Sequence, residues 1–178
     1  MMQDVLNFWF DELTPEQWWV KDENLDQRII ERFADVHQQA SRCELFHWRT
    51  TAQGRLAEII VLDQFSRNMF RGTPESFAWD SLALALSQEA ISAGAEKFLT
   101  PVERTFLYLP FMHSESLLIH EQAVKLFTDN GIAGNLDFEI QHQNILKKFG
   151  RYPHRNAILG RASTPEELAF LQQPGSSF

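Results

Sequence analysis

Three observations predict an all-α fold. No stretch of the 178 residues alternates apolar and polar side chains, or gathers β-branched residues, as a strand does. Apolar residues instead recur three and four positions apart. Three segments carry the start signal of a helix, a threonine followed by proline and then, three positions on, by Glu or Gln: Thr14-Pro15-Glu16-Gln17, Thr100-Pro101-Val102-Glu103 and Thr164-Pro165-Glu166-Glu167. In each the Thr and the Glu or Gln can cap one another's free N–H groups, and Pro suits the first helical position. Short connections favour antiparallel neighbours, so the expectation is one domain over residues 1–178, an antiparallel array of about eight to ten helices.

Val5, Leu6, Phe8, Trp9 and Phe10 make residues 2–11 a short helix. After the first capping box come Trp18 and Trp19, expected to cover the core. From Asp22 to about Trp48, Leu25, Ile29, Ile30, Phe33 and Val36 mark one apolar face; the charged residues opposite are a solvated face. Residues 51–71 form a helix ending at Gly72, and another runs from about Ser76 to Ala93. The second capping box opens a helix that Pro110 is expected to kink or break. Residues 115–129 are helical and close at Asn130-Gly131; 135–149 are helical and close at Gly150. A last short helix comes after the third capping box, and residues 173–178 read as a frayed tail.

Composition excludes several functions. A net charge of −8 argues against nucleic acid and anionic membrane surfaces, both of which need a basic face. The one cysteine, Cys43, allows no internal disulfide and no cysteine-based zinc site. No apolar run approaches a bilayer span, and the start carries no basic head and apolar signal core, so the chain is expected in the cytoplasm. No phosphate-cradling glycine loop or dinucleotide fingerprint is present, and no cofactor is expected.

The polar residues in apolar faces carry the functional signal. Asp63 and Arg67 fall inside the stripe of Leu56, Ile59, Ile60 and Phe70. His142 sits among Phe138, Ile145, Leu146 and Phe149; His113 shares a face with Val102, Phe106 and Leu109; Asp80 lies near Phe77, Ala83, Leu84 and Ile91. Directly after the helix of His142 comes Phe149-Gly-Arg-Tyr-Pro-His-Arg-Asn156, a rigid turn carrying Arg151, His154, Arg155 and Asn156, with Arg161 close behind. Isolated inward charges are costly, so these groups are expected to meet in one cluster.

Two chemistries suit such a cluster. Guanidinium groups bind carboxylate or phosphate oxygens, which points to a small anionic ligand or a peptide carboxylate held by Asp63, Arg67, Asn68, Arg71, Arg151, His154, Arg155 and Asn156. A histidine oriented by a carboxylate can act as general acid or base, with His113, His142, His154 and Glu115 as candidates for a hydrolase-type reaction. His113, Glu115 and His142 are the one set with metal-ligand chemistry, but helix geometry points His113 and Glu115 apart, and no metal is expected. Ser66 and Ser114 lack the surroundings of a nucleophile elbow. A third reading leaves the cluster structural, with Trp18, Trp19 and Trp48 on a surface that binds a protein partner.

Five blocks in this order resemble one family. They are Val5-Leu-Asn-Phe-Trp-Phe10; Leu62-Asp-Gln-Phe-Ser-Arg-Asn-Met-Phe-Arg-Gly72; Phe106-Leu-Tyr-Leu-Pro-Phe-Met-His-Ser-Glu115; the Phe149–Asn156 turn; and Leu159-Gly-Arg-Ala-Ser-Thr-Pro-Glu-Glu167. The chain resembles the bacterial DUF924 family, with Tyr152 and Ser66 standing where Phe and Pro are more usual. The resemblance implies a tetratricopeptide-like right-handed superhelix and implies no activity.

Overall fold

The computed structural model describes residues 1–178, and every regular element in it is helical. Helix α1 is Met2–Asn7, α2 Glu23–Ser41, α3 Ala52–Ile60, α4 Ser66–Met69, α5 Asp80–Ser92, α6 Pro101–Met112, α7 Leu117–Asn130, α8 Asn135–Phe149 and α9 Pro165–Leu171, with short 3₁₀ turns between several of them. All three capping boxes form as the sequence predicts. No helix is long and apolar enough to cross a membrane.

Several boundaries differ from the expectation, each for a local reason. Helix α2 stops at Ser41, not near Trp48. Glu44 N–H reaches back to Gln39 O and Cys43 N–H to Ala40 O, with Cys43 at φ 59°. That is a left-handed helix stop, a role usually given to Gly or Asn, so a cysteine there hides it from the sequence. Residues 74–77 form a separate 3₁₀ turn before α5. Pro110 does not break α6, because it stands in the last turn and the helix ends two residues later. Trp18 and Trp48 are at least partly covered, whereas Trp19 stays 57% exposed. Residues 173–178 fold back on the helices: Ser176 is buried and Phe178 packs on His142.

The expected helix over 51–71 is continuous but not uniform. Between α3 and α4 the backbone widens into a π turn, Val61–Phe65, and a second π turn, Phe8–Glu12, extends α1. The wider turn inserts a residue and rotates the next helical turn about the axis, and such turns are frequent at functional sites. All five residues of the first are buried, Asp63 and Gln64 among them.

One apolar cluster of 32 residues runs from Val5 to Phe127. Phe65 is at its centre, with ring contacts to Phe8, Trp9 and Phe33. Ile145, Leu146 and Tyr152 make a separate small group against Phe149 and Phe170. The two groups meet where the Tyr152 hydroxyl donates to Met112 O at 2.5 Å, and the polar cluster lies along that seam.

Candidate functional site

Asp63 is fully buried on the π turn, and each of its oxygens is engaged. Oδ1 accepts from His113 Nδ1 at 2.7 Å and meets Arg67 Nη1 at 3.1 Å; Oδ2 accepts from Gln64 Nε2 at 2.6 Å. Burial alone would raise this carboxyl, but Arg67 and His113 outweigh it and hold Asp63 ionised, below the usual carboxylate range. His113 is pushed down by burial and by Arg67, against the pull of Asp63. It is therefore a neutral imidazole donating Nδ1–H to a carboxylate. Its Nε2 is left as an unprotonated acceptor that takes no partner in the chain and is not sealed from solvent.

The turn that carries His113 is fixed from three sides. Three successive carbonyls at the end of α6 are each capped by a side chain. Tyr152 donates its hydroxyl to Met112 O, Arg155 Nη2 donates to His113 O at 2.9 Å, and His120 Nε2 donates to Ser114 O at 2.8 Å. The next residue, Glu115, accepts from Tyr152 N–H at 2.7 Å and forms a two-pronged pair with Arg161 at 2.8 and 2.9 Å. Helix ends leave such carbonyls free, so this is where side chains can lock a turn. The sequence places Tyr152 and Arg155 in the Phe149–Asn156 turn because Gly150, at φ 72°, ends α8 and Pro153 begins a new turn.

A cavity of about 310 Å³ opens beside this turn, walled by Pro74, Phe77, Leu84, Pro110 and Leu159 on apolar sides. Its polar wall is Asp80, Ser81, His113, Ser114, Glu115 and Arg155. The charges behind that wall cancel. Arg67 grips Asp80 at 2.9 and 3.0 Å, Arg155 Nη1 reaches Asp80 Oδ2 at 3.2 Å, and Arg161 takes Glu115. Arg155 lies over the rings of Phe77 and Tyr152 at 4.5 and 4.9 Å, and its Nε is sealed without a partner.

The structure thus gathers Asp63, Arg67, Asp80, His113 and Arg155 into one network, with Glu115 next to it, and separates the rest. Arg151 is taken by Glu167 at 2.7 and 2.8 Å and by Ala162 O, and Asn156 donates to Ser163 and Glu167, so both serve to fasten α9. Asn68 and Arg71 bind Asp26 on α2, remote from the cavity lining. His142 and His154 pack on Tyr152 and Phe178 instead of joining His113. Ser66 is buried and donates to Leu62 O at 2.5 Å. No three His, Cys, Asp or Glu side chains are grouped to share a cation.

Sequence reasoning missed His120, Glu139, Gln64 and Tyr152. His120 Nδ1 meets Glu139 Oε1 at 2.6 Å, both with 0% exposure. The signal was present. His120 lines up with Ala123 and Phe127, and Glu139 with His142 and Leu146, at the same three- and four-residue spacing that exposed Asp63. Gln64 was not recoverable, since only the π turn brings it inside.

Comparison with known proteins agrees with this fold. No curated protein matches the chain. A solved structure of a protein of unknown function, ATU0120, from Agrobacterium tumefaciens superposes with a TM-score of 0.91 at 38% identity, covering 96% of each chain. The model of a family described as bacterial protein of unknown function (DUF924) matches residues 5–175. On that match, and with the five sequence blocks in order, the chain belongs to the DUF924 family.

Proposed function

We propose that Asp63 and His113 form a general acid–base pair that moves a proton on a small polar molecule held in the adjoining cavity. One observation carries the reading: Nδ1–H of His113 is spent on Asp63, which leaves the Nε2 lone pair without a partner on a side chain that lines the cavity. A histidine oriented by a buried carboxylate is the common form of a proton-transfer site. Asp63 fixes the tautomer, Gln64 and Arg67 fix Asp63, and the three capped carbonyls fix the backbone of His113. The balance of charge behind the wall favours a neutral ligand over the anionic one that the arginine count alone suggests. A reaction such as hydrolysis of a small ester, amide or lactone fits, with Nε2 taking a proton from water and returning it to the leaving group.

Two measurements test this. Diethyl pyrocarbonate acylates neutral, accessible imidazole nitrogens. At pH 7 His113 reacts ahead of His120 in the folded protein; a His113 as inert as His120 contradicts the proposal. In a screen of small esters, amides and lactones, His113→Gln abolishes whatever turnover the wild type shows. Turnover that survives in that variant places the chemistry elsewhere.

A further inference from the structure

The segment after α9 brings Phe178 back against α8. Its ring, 50% exposed, lies 3.7 Å from the His142 ring centroid, 4.5 Å from that of His154 and 5.4 Å from that of Tyr152. Phe178 thus covers a face made of two imidazoles and a phenol ring, and its removal would open a recess there. The walls are polar as well as aromatic. His154 Nδ1 is sealed from solvent and has no hydrogen-bond partner, a condition that folded interiors seldom leave in place. His142 donates Nδ1–H to Phe138 O at 2.7 Å, which leaves its Nε2 an acceptor with no partner in the chain and, unlike His154 Nδ1, not sealed from solvent. A phenylalanine ring fills this space and satisfies neither nitrogen.

The cover is also weakly fastened. The hydrogen bonds of the 172–178 segment run back to α9 itself, from Gln172 N to Ala169 O, Gln173 N to Phe170 O and Ser176 Oγ to Leu171 O. What holds the Phe178 ring is contact with the two imidazoles and the phenol ring.

We propose that the recess of His142, Tyr152 and His154 binds a small aromatic molecule carrying a hydroxyl group, with Phe178 as its tethered competitor. The ring of the ligand takes the place of the Phe178 ring between the two imidazoles. Its hydroxyl, able both to donate and to accept, pairs with the imidazole nitrogens that Phe178 leaves without partners. Both histidines are held neutral by burial, with pKa values pushed down to about 3, so each ring keeps one acceptor nitrogen at neutral pH. The site is separate from the cavity at His113, which none of His142, His154 and Phe178 lines, and does not depend on the proton-transfer reading.

The test uses the full chain, p-cresol as probe and toluene as the same ring without the hydroxyl. Histidine side-chain NMR tracks each imidazole. In Phe178→Ala, p-cresol shifts His142 and His154 saturably, at least about tenfold more tightly than in the wild type, because a tethered group competes at millimolar effective concentration. Toluene binds at least about tenfold more weakly than p-cresol, since it leaves the polar nitrogens unpaired. In the wild type, saturating p-cresol abolishes the nuclear Overhauser contacts between Phe178 and His142, a readout that does not depend on how well the variant folds. The proposal is overturned if neither protein shows saturable shifts, if those contacts persist at saturation, if toluene equals p-cresol, or if only His113 responds.

Discussion

The molecule contains the same pair twice. His113 meets Asp63 and His120 meets Glu139, each through Nδ1, at 2.7 and 2.6 Å. The difference is at the other nitrogen. His120 Nε2 is spent on Ser114 O, with the Tyr152 hydroxyl at 3.1 Å, and both partners have 0% exposure. His113 Nε2 is unspent, its side chain is 13% exposed, and it borders a cavity. A histidine–carboxylate pair is therefore not a site in itself. The first pair is a site candidate because a free lone pair reaches solvent. The second is a strut that helps hold the first in position.

The protonation of the strut is set by its partners. Ser114 O can only accept, and Tyr152 sends its proton to Met112 O, so His120 Nε2 must donate. One further proton lies between Nδ1 and Glu139, whose carboxyl is raised by burial although His120 lowers it. Glu139→Leu removes one member of this sealed pair and should cost about 3–5 kcal/mol of unfolding free energy in urea, the largest effect expected here. Glu139→Gln, which can donate to Nδ1, should cost far less. His113→Gln, at a cavity edge where water can replace the imidazole, should cost only about 1 kcal/mol. If the two histidine sites lose equal stability, the distinction between strut and site fails.

Acid should act on the packed imidazoles next. Burial holds His37 at about 4 and His142 and His154 at about 3, against 6.5 when unfolded. The unfolded chain therefore binds more protons across this window, so stability is full above about pH 6.5 and falls as pH drops toward 4 and 3. Asp63, held below its unfolded value, adds a loss of the same sign at lower pH; Glu139, raised, works in the opposite direction. Urea midpoints at pH 7, 5.5 and 4.5 should decline in that order, and a flat profile would show that these imidazoles are solvated.

Much of this architecture is written in the sequence. Asp63 and Arg67 announce themselves by standing in an apolar stripe, and the capping boxes fix three helix starts without reference to the rest of the chain. Cys43 and the π turn are different: one puts an unusual residue in a left-handed stop, and the other depends on tertiary packing around Phe65. The arginines were legible as a cluster but not as spent. Which carboxylate each would meet, Glu167 for Arg151 or Glu115 for Arg161, is set by how α9 folds back, and spacing along the chain does not encode that. Phe178 shows the same limit, since only the folded chain reveals what a polar tail covers.

Two smaller effects sharpen the comparison. Asp63→Asn retains an acceptor for Nδ1–H but removes the charge that supports His113, so the imidazole should titrate at still lower pH in an NMR titration; a rise would mean that Asp63 is not its partner. Arg71→Ala breaks the outlying pair with Asp26, in which Arg71 is 34% exposed, and should change stability by at most about 1 kcal/mol. A larger loss would make that pair part of the core network.

The state of one imidazole decides whether the Asp63–His113 pair is a site. Nitrogen-15 chemical shifts of the His113 side chain at pH 7 read it directly. A protonated Nδ1 and an unprotonated Nε2, responsive to added solutes at the cavity, are expected. A proton on Nε2, or a fully charged ring at that pH, would contradict that expectation.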